Sequence, residues 1–429
     1  MPLPAIEHYT FKDMSQVLPN LKSLAGDLTH VVLLFDESDG GSCYLGLGCN
    51  RSIEIGGELK EVEVFESLQK FSESNAWTFG WMGYDLKNSF LDLSTEIKNG
   101  LGLPDLAWWE PKVVIRWSKG DRPNIIQGDP ESELAIRGLD AIKGEFKAEE
   151  YECDEMVWTW GKEDYTTNYN AVKELIQAGD VYELNLCQTL SSKAPKGSSW
   201  DLFGRLYTKT KAPFSAYLQC GSSRIMSGSP ERFLKREGDK LISQPIKGTI
   251  ARGRNEDEDL RQIEALKNSE KERVENIMIA DLVRNDLSRV AKRNSVEVVD
   301  LCGIHTFETV HQMITEVQCE IDSHTSLADI LKATFPMGSM TGAPKISAMK
   351  NIDRLEAKGR GVYSGSVGYI SPNGSFDFNV LIRSLFHNAE TEKIEAAVGG
   401  AITYLSNAED EFNECGLKAE ALIKTVKGE

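Results

Sequence analysis

The chain has 429 residues, of which 41% are hydrophobic and 27% charged, and its formal net charge is −18. That composition excludes disorder. The acidity excludes a surface built for nucleic-acid phosphates, which needs clustered Lys and Arg. It also raises a question, because an anionic substrate would need a local device to overcome the repulsion.

The opening segment, MPLPAIEHYTFKDM, has neither the basic start nor the apolar run of a secretory signal. The run Val31–Phe35 is far shorter than the roughly 20 apolar residues a membrane span takes, so a cytoplasmic protein is expected. None of the eight cysteines (Cys43, Cys49, Cys153, Cys187, Cys220, Cys302, Cys319 and Cys415) belongs to a C-x-x-C pair. Scattered in this way they predict thiols in a reducing compartment, not a zinc knuckle.

Residues 1–127 carry short strand-like runs, such as Val31–Phe35 and Val113–Trp117, broken by glycine pairs. Residues 128–156 are acidic and poor in large apolar side chains, and read as a linker or surface crossover. Residues 157–429 form a third region of alternating helical and strand-like patterns. The first, YTTNYNAVKELIQAG, should be a helix ending at Gly179 and leading into the strand-like VYELNLCQ. The mix predicts an α+β fold with helices packed on large sheets.

Several segments carry chemistry. In SGSPERF, Glu231 follows a Ser-Pro turn, and a carboxyl group in a pocket can act as general acid on a leaving hydroxyl. In QPIKGT, residues 244–249, Lys247 lies between Pro-Ile and Gly-Thr. The ordinary reading is a surface-turn Lys; a desolvated one can serve as an amine nucleophile. In Ser269–Val290, the residues Val274, Ile277, Met278, Leu282 and Val283 recur at helical spacing. Glu272 and Glu275 share a face near the start of that helix. A capping box from Ser269 to Glu272, with acidic residues favoured by the helix dipole, explains that segment by itself.

In FPMGSMTGAPK, residues 335–345, Pro344 suits the first turn of a helix and Gly359 its end. Gly338, Ser339, Thr341 and Gly342 would then offer N–H groups and hydroxyls to an anion at a helix start. The commoner role of such a turn is structural. Arg383 alternates with apolar residues in FNVLIRSL, so it should point inward from a strand towards an anionic partner. Gly399 and Gly400 form a second glycine turn after a strand-like run. Glu411 and Glu414 repeat the three-residue spacing in NAEDEFNECGLKAEALIK, ordinarily a solvated face. Two such pairs could converge on an oxygen site suited to Mg²⁺, which would bridge protein carboxylates to a substrate carboxylate.

The runs AGDVYELNL, SGSPERF, QPIKGT, MIADLVRNDL, FPMGSMTGAPK, RGVYSGSVGYI, FNVLIRS and E-F-N-E-C-x-x-K-A occur here in one order. In that order they resemble the chorismate-utilising family: anthranilate synthase large subunits, aminodeoxychorismate synthase component I, and isochorismate and salicylate synthases. The resemblance covers nearly the whole chain and is densest over residues 164–425; FGWMGYDL, residues 79–86, is similar to the family's N-terminal signature. It implies large antiparallel sheets packed as a sandwich with helices outside. It implies Glu275 and Glu414 as Mg²⁺ ligands, with Glu272 and Glu411 as their water-binding neighbours. Thr341, Gly342, Tyr363, Arg383, Gly399 and Gly400 match carboxylate-binding groups, and Lys418 a further site lysine.

Lys247 decides the branch that the resemblance implies. Anthranilate-forming members typically carry Ala in P-I-x-G-T, and aminodeoxychorismate-forming members typically carry Lys. The implied reaction is attack of Lys247 on C2 of chorismate while Glu231 protonates the departing C4 hydroxyl. Ammonia then enters at C4 to give 4-amino-4-deoxychorismate, on the route to para-aminobenzoate and folate. No cysteine lies in the G-x-C-x-G elbow of a glutamine amidotransferase, so a separate amidotransferase subunit is the implied ammonia source. Two other readings stand beside this one, anthranilate synthase component I and a non-catalytic chorismate-binding subunit. The chain departs from the family where many relatives place a His three residues before Ser or Thr. Here Gln312 takes that position and His311 is one residue early, on the opposite face of a strand. The base Lys of isochorismate and salicylate synthases would fall at Glu183.

Overall fold

In a computed structural model of the chain, the described residues are 21–36, 41–57, 63–91, 93, 100–118, 121–142, 154–194 and 197–429. Cys153 lies outside them, and no disulfide joins the described cysteines. Among the described residues the strands form two large sheets, one of eleven strands and one of ten, and their pairings are antiparallel. This is the antiparallel α+β sandwich that the sequence implies.

Alternation along a strand shows how the layers stack. In His30–Asp36, Val32 and Leu34 enter the cluster shared with the second sheet, whereas Val31, Leu33 and Phe35 enter the cluster under the outer helices. Both faces are covered, so the sequence shows a continuous apolar run instead of a period of two. Between the sheets, Tyr44 packs on Phe79 and Tyr369 with ring centroids 6.4 and 4.8 Å away. Arg232 of the second sheet reaches Asp36 of the first at 3.2 Å and Asp377 of its own sheet at 3.0 Å.

The amino-terminal strands are woven into both layers. His30–Asp36 lies between Phe214–Cys220 and Ser42–Leu47, and Thr78–Met82 pairs with Ser366–Ile370. Within the acidic stretch 128–156, Glu133–Ala141 is a helix capped by Ser132, and it packs on the first sheet. Residues 143–153 of that stretch lie outside the described residues. The helix Lys162–Ala178 ends at Gly179, whose φ of 80° is the left-handed cap expected of a glycine there. Among the described residues, no helix is long and apolar enough to cross a membrane.

Two local expectations change. The helix after Pro344 spans Lys345–Leu355 and stops four residues before Gly359. Glu356 turns to an extended conformation there, and its carboxylate takes Arg360 at 2.6 and 2.9 Å. The run FNVLIRSL is not one strand. Phe376–Val380 belongs to the second sheet and Ser384–Asn388 to the first, and the chain crosses between them at residues 381–383.

Candidate active site

The crossover builds one wall of a cavity of about 390 Å³, a size suited to a small molecule. Arg383 sits in the crossover with a φ of 52°, a conformation that costs a non-glycine residue roughly 1–2 kcal/mol. Its half-buried guanidinium lines the cavity and donates to the Lys418 carbonyl at 3.0 Å. The expected inward Arg is therefore present, but a chain crossing aims it, not strand alternation.

Two helices bring in the glutamate pairs. In the helix Glu270–Ser288, capped by Ser269, a step of four residues aligns Glu275 with Ile279, Val283 and Leu287. Those three enter the inter-sheet core and so hold the Glu275 carboxyl at the cavity. The apolar stripe foreseen in this helix is only partly the buried one, because Val274 and Ile277 face outward. The helix Ala408–Lys427 buries Cys415, Ala419, Leu422 and Val426 against the first sheet, which sets Glu411, Glu414 and Lys418 on the cavity wall. Lys271 spans the two helices, 3.1 Å from Glu411 and 3.9 Å from Glu275, and Lys418 holds Glu414 at 2.6 Å.

Two glycines leave room for this packing. Gly248 has a φ of 86°, and a Cβ there would come 3.0 Å from Glu272 Oε2. A Cβ on Gly400 would stand 2.8 Å from Glu411 Oε2. Gly399 and Gly400 form no turn, because both lie inside the strand Lys393–Ile402, paired with Cys187 and Leu186; the Gly399 carbonyl accepts from Lys418 Nζ at 2.7 Å.

Lys247 is almost buried and donates to Glu183 Oε1 at 3.1 Å. Burial alone would lower its pKa, but the charges of Glu183, Glu275 and Glu231 outweigh it and raise the value above that of an ordinary lysine. The resting group is thus an ammonium. Glu231 is also buried and accepts from Ser339 Oγ at 2.6 Å. Burial pushes it up to about 7, although Ser339 and Lys247 oppose the shift. Burial raises Glu275 to about 7 in the same way, against the pull of Lys247 and Lys271.

Tyr363 lines the wall with its hydroxyl 3.7 Å from Cys187 Sγ. Gln312 faces the cavity, whereas His311 on the same strand turns away to Asp259 and Thr306, each at 2.9 Å. Thr341 and Gly342 lie behind the lining. The Thr341 N–H donates to Gly338, and Gly342 pairs with Leu184 in the first sheet. They precede the helix and do not form its amino-terminal turn.

Sequence reasoning missed Asn185, Lys271 and Arg360. Asn185 lines the cavity; its signal was the alternation in ELNLC, which sends Leu184 and Leu186 to the helices and their neighbours inward. Lys271 could have been found from its four-residue spacing to Glu275. Arg360 is buried and donates to the carbonyls of Met340 and Asn185 at 2.6 and 2.9 Å, tying the 338–341 turn to the strand Glu183–Lys193.

Five carboxylates (Glu231, Glu272, Glu275, Glu411 and Glu414) and four cations (Lys247, Lys271, Lys418 and Arg383) line the cavity. Without a further positive charge, this lining does not favour a polycarboxylate. The donors Glu272, Glu275, Glu411 and Glu414 fit a hard divalent ion, being all oxygen, on two facing helices, with the buried Glu275 Oε1 lacking a hydrogen-bond partner. A tighter group of ligand types, His30, Glu54 and Cys220, lies outside the cavity lining. Glu275→Ala and Glu414→Ala should each raise the Mg²⁺ concentration needed for half-maximal activity by about tenfold or more. Titrations that overlay the parent's would remove these residues from the ligand set.

A family model described as chorismate binding enzyme matches residues 31–424. The chain is 34% identical to aminodeoxychorismate synthase component 1 of Klebsiella aerogenes, covering 81% of this chain and 76% of the relative. It is 36% identical to a probable chloroplastic aminodeoxychorismate synthase of Oryza sativa subsp. japonica, over 79% of this chain but only 38% of that longer protein. Its fold matches anthranilate synthase component I from Streptococcus pneumoniae with a TM-score of 0.77 at 22% identity, covering 89% and 92% of the two chains. The family match over residues 31–424, the two-sheet fold and the glutamate-lined cavity thus have one explanation: the chain belongs to the chorismate-binding enzymes.

Proposed function

We propose that this enzyme replaces the C4 hydroxyl of chorismate with an amino group, forming 4-amino-4-deoxychorismate for para-aminobenzoate and folate synthesis. The observation that carries the reading is Lys247, held beside the buried acid Glu231 in the cavity. Relatives bearing the aminodeoxychorismate synthase name support the same branch.

Lys247 Nζ attacks C2 and Glu231 gives its proton to the C4 hydroxyl, which leaves as water. Ammonia then bonds to C4, and the lysine leaves C2. Arg383 and Lys418 offer positive charge to substrate carboxylates. Glu275 and Glu414, with Glu272 and Glu411 beside them, would hold Mg²⁺, which supplies charge neutralisation and a fixed point for the ring carboxylate. Ammonia comes from a separate glutamine amidotransferase subunit, as the cysteine flanks imply. The work is done in the cytoplasm.

The test is mass spectrometry of the product from chorismate, Mg²⁺ and ammonium. An aminated product that keeps its enolpyruvyl group is expected. Anthranilate as the main product would move the enzyme to the other amination branch, and no turnover would leave it a binding subunit.

A further inference from the structure

Glu183 opens the strand Glu183–Lys193 and is 1% exposed. Its Oε1 accepts from Lys247 Nζ at 3.1 Å, and its buried Oε2 has no hydrogen-bond partner among the described residues. A buried carboxylate oxygen left without a partner is costly and calls for an explanation. The strand fixes the side chain in place, because Leu184 and Leu186 bury under the helices while Glu183 is held in register against Ala343.

The proposed reaction sets a requirement that Glu183 meets. An amine attacks through a free electron pair, so Lys247 must first lose a proton. The carboxylates of Glu183, Glu231 and Glu275 face it directly in charge terms, and those of Glu272 and Glu414 feel its charge as well. Glu231 is bonded to Ser339 and is the acid for the hydroxyl. Glu272, Glu275 and Glu414 stand on the two helices suited to the ion. Glu183 is the carboxylate in hydrogen-bond contact with the ammonium, and it stands behind the cavity lining with none of those other tasks.

We propose that Glu183 is the base that takes the proton from the Lys247 ammonium as the amine attacks chorismate. The inference rests on the nucleophile assigned in the preceding section. The N–H bond breaks with its electron pair staying on Nζ, and an O–H bond forms on Glu183. The pair on Nζ then bonds to C2, the ring double bonds shift towards C4, and the C4–O bond breaks as Glu231 supplies the proton of the departing water. When ammonia bonds to C4, the electrons return and Lys247 leaves as a neutral amine. Glu183 gives its proton back to that amine, and Glu231 takes the surplus proton from the new ammonium. Both carboxyl groups end as they began, and chorismate plus ammonia has become aminodeoxychorismate plus water.

Glu183→Gln keeps the shape and a hydrogen-bonding oxygen but cannot take a proton. With chorismate, Mg²⁺ and a constant concentration of free ammonia, we expect kcat at pH 7 to fall about 100-fold, with KM within threefold of the parent. Between pH 7 and 9, the ratio of variant to parent rate should climb about tenfold per unit as hydroxide replaces the missing base. Glu183→Asp, which retains a carboxylate, should recover part of the rate without that slope. The opposite result is as sharp. A carboxylate that merely held the ammonium in place would, once removed, ease the loss of its proton, so a Gln variant equal to or faster than the parent at pH 7 overturns the inference. Lys247→Ala separates the two claims. If it still aminates C4, the nucleophile is wrong; if it is inactive while Glu183→Gln is unimpaired, Glu183 alone is misassigned.

Discussion

Lys247→Ala is expected to reduce formation of the C4-aminated product on the order of a thousandfold, the scale on which losing a covalent nucleophile registers. The truncation removes the group that blocks C2 during the first half-reaction, and ammonia then competes for that carbon. A small anthranilate-like product should therefore appear as the C4 product disappears. The variant also leaves Glu183 buried without its cation, so some loss of stability should accompany the loss of activity. Thermal unfolding measured beside the product assay keeps the two effects apart. A folded variant that makes the C4 product at the parent's rate would end the nucleophilic role.

Glu231 should dominate the alkaline side of the pH profile. Its carboxyl must be protonated to give a proton to the leaving hydroxyl, and burial has raised it to about 7. The useful form is abundant below that pH and is lost as pH rises through it. With free ammonia held constant, kcat should thus decline above pH 7, approaching tenfold per unit. Glu231→Gln should lower kcat by about 100-fold to 10,000-fold and abolish that decline. Binding of chorismate should persist, because Glu231 meets the reacting oxygen and not a substrate carboxylate. A Gln variant with the parent's alkaline decline would assign that titration to another group.

The sequence made some of this arrangement readable for physical reasons that differ between residues. The Ser269 cap and the three-residue spacing of the glutamates are local, and the helices formed as read. The family motifs supplied Lys247 and Glu231, whose spacing alone did not separate them from ordinary turn residues. Arg383 was found for the wrong reason, since apolar residues continue through a crossing between layers and hide it. The Thr341–Gly342 backbone looked like a helix start because Pro344 follows it. The edge pairing with Glu183 and Leu184 that consumes this segment joins residues more than 150 positions apart. Such partnerships leave no trace in a local pattern, and a separation of 64 positions likewise concealed the Glu183–Lys247 pair.

The weaving of early strands into late ones also has a consequence during synthesis. His30–Asp36 has Phe214–Cys220 as one of its two neighbours in the sheet. At roughly 5–20 residues per second, the ribosome delivers that neighbour about 10 to 40 seconds after the first strand has emerged. For that interval, the apolar run Val31–Phe35 presents an open backbone edge that other nascent chains could pair with. Chaperone dependence should therefore be greatest before translation reaches the middle of the message.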